Sequence, residues 1–113
     1  MSKVVFLIMS GSDSPPKAEL GIISAVRSLK ANRYEDLKVI FYGPSEEYIT
    51  KLSGELADNV RYLIESKAVD SACVAIANKT GIDVKLKMMG VELSPFGERL
   101  AHYVNNGYIV ISF

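Results

Sequence analysis

One thiol, Cys73, and one hydroxyl-rich turn, Ser10-Gly11-Ser12-Asp13-Ser14, are the parts of this 113-residue chain best suited to chemistry. A cysteine reacts as its thiolate, and thiolate is favoured where the free N–H groups of a following helix lend partial positive charge. Cys73 precedes Val74-Ala75-Ile76-Ala77, which can open such a helix. The competing reading is a structural cysteine, because unpaired cysteines are among the most buried residues. In the turn, Gly11 lets backbone amides approach an anion, and Ser10 and Ser12 can add hydroxyl donors, as in a phosphate site. Neither Gly-x-x-x-x-Gly-Lys nor Gly-x-Gly-x-x-Gly occurs, so the same residues also suit a plain capped turn.

The remaining polar residues offer less. His102 falls off the apolar stripe of its segment and reads as a surface histidine, and Glu46-Glu47 and Lys85/Lys87 read as solvated charge. Met88-Met89 suits core or interface filling, since thioether ligation of a metal needs softer company. One cysteine and one histidine do not supply the tetrahedral ligand set of a zinc site, so no metal is expected. A phosphoreceiver site needs clustered acids after the first strand and an acid at the end of the third. Asp13 stands alone, and the third strand runs into Cys73.

These groups must be positioned by strands and helices that the sequence marks clearly. Val4 to Met9 is an unbroken apolar run, the habit of a strand covered on both faces. Pro15-Pro16 opens a helix that Asp13 or Ser14 can cap, and Ala18, Ile22, Ala25, Val26 and Leu29 recur at helical spacing through Lys30. Lys38–Tyr42 is a second strand closed by Gly43-Pro44. Ser45 suits the cap of a short helical turn, and Ser53 that of a helix striped by Leu56, Val60, Leu63 and Ile64. A third strand runs from Val69 to about Val74, and the helix after it ends at Gly81. Val91–Leu93 reads as a short fourth strand, and Ser94-Pro95 starts a helix with Leu100 and Val104 facing inward. Tyr108–Phe113 is a fifth strand, expected at an inner or near-inner position beside the first because it is equally apolar.

Alternating strands and helices imply right-handed crossovers and a parallel sheet with helices on both faces. The expected fold is one α/β/α domain over residues 1–113, flavodoxin-like in general architecture. Ligands in such sheets bind beyond the carboxyl ends of the strands. Those ends bring Ser10, Gly11 and Ser12, then Tyr42 and Gly43, then Cys73, then Ser94 into one list of candidate site residues.

Composition narrows the function classes. Hydrophobic residues make up 49 % and charged residues 23 %, ordinary for a folded domain. Thirteen basic residues balance thirteen acidic ones, leaving no excess positive charge for nucleic acid. No apolar run approaches the length of a membrane span, and Val4–Met9 is too short for a secretory h-region. A lone cysteine fits a reducing compartment, so a cytoplasmic location is expected. Leu86, Met88, Met89 and Val91 fall in a segment too irregular for a full helix. They are expected to form an exposed apolar patch, of the kind that marks subunit contacts.

The order and spacing of several short pieces resemble the DsrE/DsrF-like (YchN-like) family of small sulfur-relay proteins across nearly the whole chain. The pieces are Val4–Met9, Val39-Ile40-Phe41-Tyr42-Gly43-Pro44, Asn59-Val60-Arg61-Tyr62-Leu63, Ala72-Cys73 with Gly81-Ile82 after it, Gly90-Val91-Glu92-Leu93, and Asn106-Gly107-Tyr108. The resemblance implies that Cys73 carries sulfur as a persulfide, taken from one protein thiol and handed to another. It also implies a sulfurtransferase-type relay without a cofactor, in a trimer or hexamer. The rival from another class is a non-enzymatic oligomeric module that binds a small ligand or nucleotide at Ser10–Ser14. A third is a purely structural subunit of a larger complex.

Overall fold

A computed structural model describes all residues, 1–113. Its elements are β1 (Lys3–Ile8), α1 (Pro15–Lys30), β2 (Asp36–Phe41), α2 (Pro44–Thr50), α3 (Gly54–Glu65), β3 (Val69–Cys73), α4 (Val74–Thr80), α5 (Asp83–Met89), β4 (Leu93–Ser94), α6 (Phe96–Asn105) and β5 (Ile109–Ser112). The five strands form one parallel sheet in the order β4-β3-β2-β1-β5. The α/β fold expected from the alternation of elements is therefore present.

The order explains how the helices divide. From β1 to β4 the chain steps always in one direction across the sheet, so right-handed crossovers put α1 through α5 on one face. Only the return from β4 to β5 reverses direction, and it carries α6 to the other face. The core is correspondingly lopsided. On the first face Val4, Phe6, Ile8, Val39 and Phe41 join Ile22, Ile49, Val60, Leu63 and Leu86 in a cluster of 18 buried residues. On the second face Val5, Leu7 and Ile40 meet only Tyr103 of α6, with Tyr42, Phe96 and Tyr108 packed at the margin.

Five details depart from the sequence reading. First, β5 does lie beside β1, with Val4 opposite Ile109 and Leu7 opposite Ser112, but it is the outermost strand. Ile109 is 53 % and Val110 39 % exposed, because no sixth strand or second helix covers that edge. Second, β2 begins at Asp36 rather than at Lys38, since Asp36 and Leu37 continue the ladder opposite Lys3 and Val4. Third, residues 83–89 form the helix α5, and the supposed patch divides. Leu86 and Val91 are buried in the core, whereas Met88 points to solvent. Fourth, β4 falls at Leu93–Ser94, two residues later than expected, because Val91 is drawn inward and donates its N–H to the Leu86 carbonyl. Fifth, α6 turns Tyr103 inward and leaves Val104 exposed. A polar cluster sets that rotation: the Asp70 carboxylate on β3 accepts from Arg99 Nε at 3.0 Å, Arg99 Nη2 at 2.8 Å and the Tyr103 hydroxyl at 2.6 Å. The arginine and both hydroxyl donors, Tyr103 and Ser71, hold the Asp70 carboxyl below its ordinary range against the opposing effect of burial.

Candidate functional site

The carboxyl ends of β1, β2 and β3 are tied together by α2. Ser45 is wholly buried. It donates its hydroxyl to the Ile8 carbonyl at 2.6 Å and its N–H to the Met9 carbonyl at 3.0 Å. It is thus a stitch between the start of α2 and the end of β1, not the helix cap its sequence position suggested. The cap position belongs to Gly43, whose φ of +94° is a conformation glycine adopts without strain.

That turn directs the next side chain inward. Glu46 reaches back so that Oε2 accepts the Gly43 N–H at 3.1 Å, while the Glu46 N–H bonds the Gly43 carbonyl at 3.0 Å. The Glu46 side chain is fully buried and its other oxygen, Oε1, has no hydrogen-bond partner. Burial pushes its pKa up to about 7, against the lowering effect of the Gly43 amide and of the Cys73 amide, which faces the carboxyl from the end of β3. The reading of Glu46-Glu47 as solvated charge therefore holds for Glu47, which pairs with Lys51 at 3.1 Å, and fails for Glu46. A glutamate three residues after a glycine and two after a proline is the spacing of a side chain returning to its helix cap, and that was the available signal.

Cys73 ends β3 opposite Ser94 of β4 and occupies the position just before α4. It is 6 % exposed and counts among the buried core residues, at the point where β3 gives way to a helix. Near the same strand ends, Ser12, Gly43, Pro44, Glu47, Ile76, Lys79 and Thr80 line an open hollow of about 370 Å³.

The other sequence candidates separate into groups. Ser12 and Gly43 share that hollow, and Ser94 is the strand partner of Cys73. Tyr42 instead stacks flat on Phe96, with ring centroids 3.7 Å apart. In the serine-rich turn, the Gly11 N–H is held by Asp13 Oδ1 at 2.8 Å and the Ser14 N–H by the Gly11 carbonyl at 3.0 Å. The N–H groups of Met9 and Ser10 both go to the Phe113 carbonyl. Gly11 presses so closely on α2 that a Cβ there would stand 2.3 Å from the Pro44 carbonyl oxygen. His102 is exposed, with its ring edge-on to that of Tyr103 at a centroid distance of 5.0 Å.

No family model and no curated relative matches the chain. Solved structures do. A conserved protein of unknown function from Bacteroides thetaiotaomicron superposes with a TM-score of 0.79 at 16 % identity, covering 96 % of this chain and 94 % of its own. The ychN protein from E. coli gives 0.77 at 17 % identity over the whole of both chains. A protein of unknown function from Methanobacterium thermoautotrophicum gives 0.70 at 23 % identity, again over both whole chains. The chain therefore has the YchN/DsrE-like fold.

Proposed function

We propose that this domain is a sulfur carrier that holds a persulfide on Cys73 and passes it between protein thiols, in the cytoplasm and without a cofactor. The observation that carries this reading is the buried Glu46 carboxyl beside Cys73, with one oxygen unsatisfied. Leaving such an oxygen without a donor costs about 1–3 kcal/mol, and groups kept at that cost and with strongly shifted pKa values gather at functional sites. A cysteine serving only as packing requires no ionisable neighbour, and the Cys73 amide faces the Glu46 carboxyl. The alternative of an anion held by Ser10–Ser14 has less support. Four N–H groups of that turn and of the strand leading into it are already engaged, one of them by the carboxylate of Asp13.

The outer sulfur of a donor persulfide is taken by the Cys73 thiolate in a displacement like thiol–disulfide exchange. The uncovered residues Met88 and Val84 on α5, and Ile109 and Val110 on β5, favour a homo-oligomer, which we take to be a trimer or hexamer. Intact-mass measurement after incubation with glutathione persulfide tests the central claim. The expected result is a gain of roughly 32 Da, one sulfur atom at a thiol, which dithiothreitol removes and Cys73→Ser abolishes. A wild-type protein that takes up no sulfur at any pH would overturn it.

A further inference from the structure

The two edges of the sheet are built differently. The β4 edge is blunt, because the strand is two residues long and is flanked by Glu92 and Pro95. Natural sheets use short edge strands, charge and proline to keep further strands from adding. The β5 edge has none of these devices. No side chain from Tyr108 to Phe113 carries a charge, none of these residues is proline, and β5 pairs with β1 without a break in register. Ile109, Val110 and Ser112 are all exposed along it.

We propose that the β5 edge pairs antiparallel with the β5 edge of a second copy across a two-fold axis, with Ile111 facing its own copy at that axis. This deepens the homo-oligomer reading given above and rests on it. A two-fold contact demands an assembly of even order, so between trimer and hexamer it selects the hexamer.

The direction of the main-chain groups carries the proposal. The Phe113 N–H donates to the Leu7 carbonyl at 2.9 Å, and the Phe113 carbonyl accepts the Met9 N–H at 2.9 Å, so both groups of Phe113 point at β1. Successive residues along a strand turn these groups to alternate sides. Ile111 and Ile109 therefore also face β1, while the N–H and C=O of Val110 and Ser112 project from the open edge. Tyr108 is next in that outward series, but its N–H is held by the Tyr103 carbonyl at 3.0 Å. An antiparallel copy with Val110 opposite the partner's Ser112 gives every one of these outward donors an acceptor and every acceptor a donor. Centring the axis on Val110 instead would set Ser112 opposite the partner's Tyr108, whose N–H is taken, and leave the Ser112 carbonyl unbonded.

The side chains agree with that register. Directly opposed residues of an antiparallel pair share a face. Ile111 then meets its own copy, and exposed Ile109 meets the partner's Phe113, on the face that Val4 and Phe6 define. Ile111 and Phe113 are only partly buried against the main cluster and have surface left to give. The strand thus matches itself in main chain and side chains at one register, which favours a second copy over an unrelated peptide as its partner.

Two measurements test this. In the assembled wild type at micromolar concentration, the amides of Val110 and Ser112 should exchange with solvent as slowly as that of Ile111, within about tenfold, because all three are then bonded inside a sheet. In a Cys73→Ser background, Ile111→Cys should form a disulfide-linked dimer under mild oxidation at least about tenfold faster than Val110→Cys. The opposed Cα atoms at position 111 would stand about 4.5 Å apart. Val110 meets its own copy only diagonally, at about 7–8 Å, although it is the more exposed residue. Equal or reversed cross-linking rates overturn the proposal. So does a wild type that is monomeric or of odd order, or one whose Val110 and Ser112 amides exchange freely. Exchange is read on the wild type, so it decides alone should Ile111→Cys fail to fold. The readings fail separately: free exchange at β5 in an intact hexamer leaves the sulfur carrier standing, and failure to load sulfur from glutathione persulfide leaves the edge contact standing.

Discussion

Glu46→Gln should change how the stability of this protein depends on pH, by an amount that follows from the burial of one carboxyl. In the unfolded chain Glu46 ionises near its ordinary value of 4.5, whereas in the fold burial raises this to about 7. The folded state thus binds the proton more tightly than the unfolded state. The resulting stability is fully present below about pH 4.5 and is lost as pH rises through about 7. The difference between the two values corresponds to roughly 3 kcal/mol. Glutamine has nearly the same shape, its side-chain oxygen can accept the Gly43 N–H, and it carries no charge at any pH. Urea unfolding of both proteins at steps from about pH 4.5 to about pH 8.5 should therefore yield a difference curve. The variant gains about 3 kcal/mol relative to wild type across that window, equivalent to roughly 10 °C in Tm for a domain of this size. Other titrating groups, Asp70 among them, are common to both proteins and cancel in the difference. A difference curve that is flat, or that falls with pH, would refute the claim that an ionisable group is held in a dry site at the end of β2.

Gly11→Ala should be destabilised by about 1–3 kcal/mol in thermal melts, because its Cβ would meet the Pro44 carbonyl oxygen at 2.3 Å and the Tyr48 Cβ at 2.9 Å; wild-type stability would mean that the β1–α1 turn does not press on α2. Arg99→Ala should cost about 1–3 kcal/mol at neutral pH by removing two hydrogen bonds from the half-buried Asp70 carboxylate. Asp70 has a lowered pKa in the fold, so it contributes stability above its ordinary value that is lost as pH falls, and Arg99→Ala should show a smaller loss on acid titration than wild type. Light scattering at micromolar concentration should return an assembly, and Val110→Lys at the open edge of β5 should weaken it without lowering monomer stability. A monomer of about 12.4 kDa in the wild type would count against the proposed trimer or hexamer.

The sequence was most legible where a local pattern has one physical solution. Six successive apolar residues at Val4–Met9 require cover on both faces of a strand, and β1 duly sits inside the sheet between β2 and β5. Pro15-Pro16 before a helical stripe and Gly81 after one are conformational instructions carried by single residues, and α1 and α4 begin and end accordingly. From those elements the parallel sheet followed, and with it the location of Cys73 at a strand end.

What was not legible depends on neighbours that no local pattern names. Ile109–Ser112 is as apolar as an inner strand, but apolarity records what a residue tolerates and says nothing of which element arrives beside it. The single reversal of direction across the sheet leaves β5 outermost. On α6, helical spacing allows either Leu100 and Val104 or Tyr103 to face inward, and the Asp70 carboxylate, 29 residues from Arg99 and 33 from Tyr103, makes the choice. Glu46 and Glu47 are chemically identical side chains at adjacent positions. Ser45 anchors α2 to the carbonyls of Ile8 and Met9, and that long-range contact rotates position 46 into the junction of the strands and position 47 into water. Burial, and therefore the ionisation of Glu46 beside Cys73, is a property of the assembled sheet edge, because desolvation depends on what surrounds a group in space and not on what precedes it in the chain.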